Sequence, residues 1–336
     1  MRAARLLWAR VAEVCGGSGN ASAMRQHAVT SRAMLTQRDP WVNILRATVA
    51  CFAAGVGGAD SITVLPFDDA IGLPDGFARR LARNTQAVLI DEANAARVID
   101  PGGGSWYIES LTNDLARAAW AWFQQIEAAG GWDAATASGL ISQQLEQTRD
   151  ARATNIARRR QLITGVTEFP DIDEARVVRK RPPATRVDRY SAPFEVLRDR
   201  SDASAAKGAR PTVLLLNVGP LAAHAARSAF AKNFFEIAGI AVPSSEAIDA
   251  ASAAEALAAS GTRHVVICSS DKLYETHAVA IAQALRAAGA TRVYLAGNPG
   301  DNRDRYVAAG VDEFIYVGCD ALDALGRALE TLGVAS

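Results

Sequence analysis

The sequence is short of charge imbalance, of paired cysteines and of long apolar runs, and each shortage closes off a class of function. Its 336 residues carry 36 basic and 36 acidic side chains, so the formal net charge is zero. No overall field favours nucleic acid or an acidic membrane surface. Local basic runs such as Arg158-Arg159-Arg160 and Arg179-Lys180-Arg181 read as solvated faces. The four cysteines, Cys15, Cys51, Cys268 and Cys319, form no C-x-x-C pair and no metal-ligand spacing. A reducing cytoplasm is the expected compartment. No apolar run reaches the ~20 residues of a membrane span. A phosphate loop is missing too. Gly102 to Gly104 are followed by no lysine, and the G-x-G-x-x-G spacing ends at Tyr107, so they read as a tight turn.

What is present is strand–helix alternation, in a length that suits two domains of roughly 100–200 residues each. The organising stretch is Pro211 to Phe230, where an apolar run, Val213 to Val218, ends at Gly219-Pro220 and leads into an Ala-rich helix. Open α/β sheets bind ligands at the carboxyl ends of their strands, so the loop from Gly219 to His224 lies where a cofactor would be held. Further strands are expected at 239–242, 264–268, 292–296 and 314–317, with helices at 222–238, 253–260, 277–288, 304–309 and 322–332. Five strands alternating with helices predict a flavodoxin-like doubly wound sheet.

The amino-terminal half alternates as well. Met1 to Val14, Arg-rich and nearly free of acid, reads as a helix with Leu6, Leu7 and Val11 on one face; a transit peptide is the competing reading. Met24 to Ser31 and Ser61 to Leu65 read as strands. Asp39-Pro40 opens a helix running to Gly55, and Asp75 opens another towards Ile90. Strand, helix, strand, helix is the grammar of an α/β barrel, yet two strands cannot close one. Thr112 or Asn113 caps an amphipathic helix with Leu115, Ala119, Trp122 and Ile126 on one face, ended by Gly130-Gly131. Trp106, Trp120 and Trp122 read as core or interface aromatics. Helices at 133–147 and 149–162 follow, and 164–210, with Pro182-Pro183, reads as an extended linker.

Three stretches resemble the methylmalonyl-CoA mutases. RNTQAVLIDEANAARVIDPGGGSWYIESLTNDLARAAW (Arg83 to Trp120) is similar to the segment after the barrel in that family. MRQHAVTS and SITVLPFDDAIGLP are similar to its last two barrel strands and their loops, and 211–336 resembles its cobalamin-binding domain. The resemblance covers essentially the whole chain. It implies the carboxyl-terminal portion of a (β/α)8 TIM barrel in 1–165, a linker in 166–210 and a flavodoxin-like domain in 211–336. For the family it implies adenosylcobalamin-dependent radical interconversion of methylmalonyl-CoA and succinyl-CoA.

The departures bear on the role. The family's cobalamin loop carries an Asp, a His two residues on, which ligates cobalt, and a Gly three after that; here these positions hold Leu221, Ala223 and Ala226. His224 is adjacent, but its side chain points elsewhere, and a helix-start or interface histidine is the expected role. Asp271 replaces the Leu of the Ser-x-Leu after the third strand of the domain, and Asn298 the second Gly after the fourth. In the first strand Arg25, His27, Thr30 and Ser31 match the family's pattern, which leaves Arg25 and His27 as candidate substrate contacts. Val29 replaces a Gln near the substrate, Arg32 replaces a Gly facing the corrin, and Asp69 stands for a longer acid. This set resembles the small, non-catalytic subunit of the heterodimeric bacterial mutases. The expectation is therefore a chain that holds no cofactor and no metal, paired with a large catalytic subunit carrying adenosylcobalamin. Whether acyl-CoA binds is left open. With only two barrel strands, the chain is expected to be the carboxyl-terminal part of such a subunit, a truncated reading or one of several encoded pieces, with aggregation-prone barrel edges. Two alternatives stand beside it: a free-standing flavodoxin-like binding module, and a catalytic subunit using His224 as an unusual cobalt ligand.

Overall fold

Two short parallel strands, β1 (His27–Val29) and β2 (Ser61–Thr63), pair in the register His27 to Ser61 and Val29 to Thr63, and in each the middle residue is the less exposed one. The computed structural model describes residues 1–180, 182 and 187–334. Arg181 and Pro183, which belong to a basic run and a Pro pair noted above, lie outside them. The chain divides into two units, Met1–Ala151 with Val177–Arg189 and Arg152–Arg176 with Tyr190–Ser336.

In the first unit Ile62 packs with Ala47, Cys51 and Ala82, which belong to α2 (Val42–Val56) and α3 (Gly76–Ala87). His27, Val29, Ser61 and Thr63 are exposed on the other face. Asp39 does not cap α2: its φ of 42° is left-handed, whereas an N-cap is extended, and the helix starts at Val42. Asp75 does cap α3, its carboxylate accepting from Ala78 N–H at 2.8 Å. That bond, with a smaller pull from Arg179, holds its carboxyl below the ordinary range. A π-turn follows at Val88–Glu92.

The remaining helices of this unit are α1 (Arg2–Val14), α4 (Trp106–Ala128), α5 (Trp132–Ala137) and, reaching into the second unit, α6 (Leu140–Ala157). α1 packs on α4, where Arg2 reaches Asp100, Glu109 and Thr112. α4 begins about two turns before the expected cap, after Ser105, and Trp106 at its start is 92 % exposed. Thr112 is buried while Leu115 is exposed, so the expected apolar stripe is not the packed one. α5 and α6 break at Gly139, whose φ of 81° stops a helix, and not near 148.

The second unit holds α7 (Ala192–Ala205), inside the stretch read as extended linker. Pro193 in its first turn and a hydrogen bond from Ser191 Oγ to Glu195 Oε1 (2.9 Å) start it. Five parallel strands follow, β3 (Leu214–Val218), β4 (Ser244–Ala247), β5 (His264–Cys268), β6 (Arg292–Ala296) and β7 (Glu313–Ile315), in the spatial order β4-β3-β5-β6-β7. The helices are α8 (Leu221–Glu236), α9 (Ala250–Ser260), α10 (Asp271–Leu273), α11 (Val279–Ala287), α12 (Arg303–Ala308) and α13 (Ala321–Thr331), with a π-turn, Tyr274–Ala278, joining α10 to α11. β3 and β5 are buried at every residue because each face of the sheet carries its own core. Residues 239–242 form no strand. Gly239 has a φ of 73°, Ile240 is fully buried, and Ala241 makes one isolated bridge to Thr212. The run is apolar because it is buried on leaving α8, and the second strand of the sheet is the more polar Ser244–Ala247. The molecule is thus α/β with parallel sheets. Among the described residues no helix is long and apolar enough to cross a membrane.

At the amino end of β5, His264 is 4 % exposed, its Nδ1 has no hydrogen-bond partner among the described residues, and burial pushes its pKa down. A histidine depressed below its ordinary value of about 6.5 is neutral in the fold. Its contribution to stability is complete above that pH and is lost as pH falls from there towards the folded pKa, by no more than about 1.4 kcal/mol per pH unit for one proton. His264→Phe is expected to flatten the slope of unfolding free energy between neutral pH and about pH 5, where carboxylates begin to dominate. An unchanged slope in denaturant titrations would show that another group titrates there.

Candidate functional site

The carboxyl ends of β3, β5 and β6 form the crevice where an open parallel sheet binds its ligands. β3 runs into Gly219, whose φ of 88° turns the chain and whose added Cβ would meet Leu273 Cδ1 at 2.5 Å. Pro220 then starts α8 at once, so no long loop intervenes. Leu221 and Ala226 are exposed and Ala223 is half-buried, all within the first turns of the helix. His224, on the inward side, is 3 % exposed. Its Nδ1 lies 3.2 Å from Ser228 Oγ, which in turn donates to Asn217 Oδ1 at 2.5 Å. The Ser228 proton is committed to Asn217, so Nδ1 carries the hydrogen and donates to Ser228.

One turn after His224, Arg227 crosses the crevice. Its guanidinium donates to Ser269 O (2.7 Å) and Asp271 Oδ1 (2.6 Å), and it lies 4.9 Å from the Tyr274 ring centroid. On the far side a Cβ added to Gly297 would lie 3.1 Å from its Cζ. Tyr274, 3 % exposed, fills the space beneath. Its hydroxyl accepts from Ser269 N–H (2.9 Å) and is within donating distance of the carbonyls of Ile267 (3.0 Å) and Ala296 (2.8 Å). Burial raises its pKa. Ser269 Oγ donates to Val218 O at 2.7 Å. Cys268 beside it is buried and its thiol is pushed up to about 12, far from a reactive thiolate. Asn298 is exposed, and its side chain accepts from Gly300 N–H (3.2 Å) in a local turn. Of the residues the sequence singled out, Asp271 bonds to Arg227 and His224 joins the neighbouring Ser228–Asn217 chain. Arg227 and Tyr274 were missed; the one signal for the network was Asn217, a polar residue inside an apolar strand.

In the first unit Arg25 is exposed, and His27 is bound through Nδ1 to Ser61 Oγ (2.6 Å) and through Nε2 to Thr63 Oγ1 (3.1 Å). Thr30 Oγ1 accepts from Leu65 N–H (2.9 Å), tying the two strand ends. Beyond them Arg32 pairs with Asp69 at 2.9 Å. Deeper, Asp68 is fully buried and paired with Arg179, which also reaches Asp75 at 3.4 Å. Asn43 donates to the carbonyls of Thr36 and Phe67, both at 2.8 Å, and holds the two loops together. Among the described residues no group of three or more His, Cys, Asp or Glu is arranged to hold a metal ion.

Comparison with known proteins agrees with the resemblance read from the motifs. The family profile described as methylmalonyl-CoA mutase matches residues 1–225. A methylmalonyl-CoA mutase small subunit of Streptomyces virginiae is 53 % identical over 343 residues, covering 100 % of this chain and 54 % of the relative. The small subunit of Propionibacterium freudenreichii subsp. shermanii is 41 % identical over 342 residues, covering 100 % and 53 %. A methylmalonyl-CoA mutase of Cereibacter sphaeroides is 39 % identical over 170 residues, covering 50 % of this chain and 24 % of the relative. The chain spans about half the length of the small subunits it matches. With a profile that spans well over half of its residues, the chain belongs to the methylmalonyl-CoA mutase family.

Proposed function

We propose that the chain serves as the small, non-catalytic subunit of an adenosylcobalamin-dependent methylmalonyl-CoA mutase, with the cofactor and the isomerisation of methylmalonyl-CoA and succinyl-CoA residing in a large partner subunit. On this reading 1–165 supplies the last two strands of a (β/α)8 barrel and the helices after it, 166–210 is the connection, and 211–336 is a degenerate cobalamin-binding domain of flavodoxin-like build. The strand order β4-β3-β5-β6-β7 is the one expected of such a domain.

The observation that carries the reading is Arg227. Its guanidinium, bound to Ser269 O and Asp271, occupies the crevice a nucleotide tail would need. A cobalt-ligating histidine would have to present a ring nitrogen outward from a loop, whereas His224 is buried inside a helix. These residues do not fit cobalamin. Arg25 and His27 are the residues proposed to meet an acyl-CoA; the hydrogen bonds that the imidazole shares with Ser61 and Thr63 would fix the ring plane. The small-subunit names of the relatives support a large-subunit partner.

The test is a cobalamin titration followed by visible absorbance, with the chain alone and with a large subunit added. The chain alone is expected to give no shift to histidine-ligated cobalt and no turnover, while the pair co-purifies and isomerises substrate. A histidine-ligated spectrum, or turnover, from the chain alone would overturn the reading.

A further inference from the structure

Around the loop that follows β7, three strands along the sheet from β3, the second unit contains a polar cavity of about 410 Å³. Its acids are already matched. Glu313 receives Arg292 at 2.9 Å and also Arg327, Asp312 receives Arg286, and Asp320 caps α13 by accepting from Asp323 N–H at 3.0 Å. Two further guanidiniums line the same cavity, those of Arg158, just past the end of α6, and Arg303, the first residue of α12. Both residues are exposed, and among the described residues neither has a carboxylate within ion-pair distance.

Neither charge is neutralised by a carboxylate among the described residues. Arg303 places a cation at a helix start, where the backbone dipoles oppose it, and its guanidinium is held over the Phe314 ring, 5.4 Å from the centroid. Arg158 belongs to the basic run that by sequence reads as a solvated face. Guanidinium groups bind phosphate oxygens through paired, planar hydrogen bonds, and the volume falls within the range of small-ligand sites. It is also roomier than one orthophosphate requires.

We propose that this cavity binds a diphosphate-bearing anion through Arg158 and Arg303. The site is independent of the subunit reading and survives its failure.

The experiment is isothermal titration of the full chain with inorganic pyrophosphate, orthophosphate and ADP, at an ionic strength kept constant with sodium chloride. Saturable one-to-one binding of pyrophosphate, tighter than that of orthophosphate, is expected. ADP binding as tightly as pyrophosphate would assign the site to free or esterified diphosphate alike, and tighter binding would assign it to the nucleotide. R158A/R303A and the conservative R158Q/R303Q are both expected to weaken binding about tenfold or more, with an unchanged thermal midpoint, while R160A, a neighbouring exposed arginine outside the cavity, binds as the parent does. No saturable binding at millimolar pyrophosphate, equal binding by the double variants, or an equal loss in R160A would overturn the proposal.

Discussion

Replacing Arg179 by methionine is expected to lower the stability of the first unit by about 3–5 kcal/mol, the usual cost of stranding one member of a buried ion pair. Asp68 is fully buried; one carboxylate oxygen meets Arg179 and the other, Oδ1, has no partner among the described residues. Methionine fills the volume of the arginine stem but leaves the carboxylate without its cation. The same change frees Asp75 from its 3.4 Å contact while leaving its cap bond to Ala78 in place. The loop between β2 and α3 is built on Asp68, whose carbonyl accepts from Ile71 N–H (2.9 Å) and Gly72 N–H (3.1 Å). Adding Asp68→Asn to the methionine variant removes the stranded charge and is expected to recover at least half of the loss. The urea midpoint of the first unit's transition decides it. A loss under about 1 kcal/mol, the worth of an exposed pair, would mean that the pair does not hold this loop.

The second large effect lies at the crevice. Tyr274→Ala is expected to cost the second unit about 3–5 kcal/mol, as for other buried aromatic truncations. The ring is almost wholly buried and also supports the Arg227 guanidinium. Tyr274→Phe isolates the hydroxyl: it leaves the Ser269 N–H without its acceptor, and about 1–3 kcal/mol is expected for an orphaned buried donor. Circular dichroism in denaturant measures both, and hydrogen exchange at Ser269 should quicken selectively in the phenylalanine variant. Equal stability of Tyr274→Phe and the parent would show that the hydroxyl is not what holds the ends of β5 and β6.

Much of the second unit could be read from the sequence because its strands are buried on both faces and therefore stand out as unbroken apolar runs. The strands His264–Cys268 and Arg292–Ala296 lie where they were expected. β4 was misplaced for the converse reason: an edge strand of Ser-Ser-Glu-Ala carries little apolar signal, while the buried exit of α8 beside it carries much. α7 was hidden by its charge, since Glu195 and Arg198 are buried in it and read as linker residues. The crevice was legible only in part. The motif departures at Leu221, Ala223 and Asp271 are visible in sequence, but the Arg227 bridge depends on a helix that starts immediately after Pro220. Spacing alone does not say that the arginine one turn later reaches Ser269, or that Tyr274 after the Ser-Ser-Asp stretch turns beneath the sheet. The Asp68–Arg179 pair joins residues 111 positions apart, beyond the reach of any periodicity.

The division of the chain into two units also sorts its chromophores. All six tryptophans, from Trp8 to Trp132, belong to the first unit, and five of the six tyrosines, from Tyr190 to Tyr316, belong to the second. Trp41 stacks on Phe67, the residue next to Asp68, with ring centroids 4.7 Å apart. Emission excited at the red edge therefore reports one unit alone, with an indole beside its buried ion pair, and tyrosine absorbance is weighted towards the other. The protein carries its own two-colour readout, in which the melting of each half can be followed without adding a label.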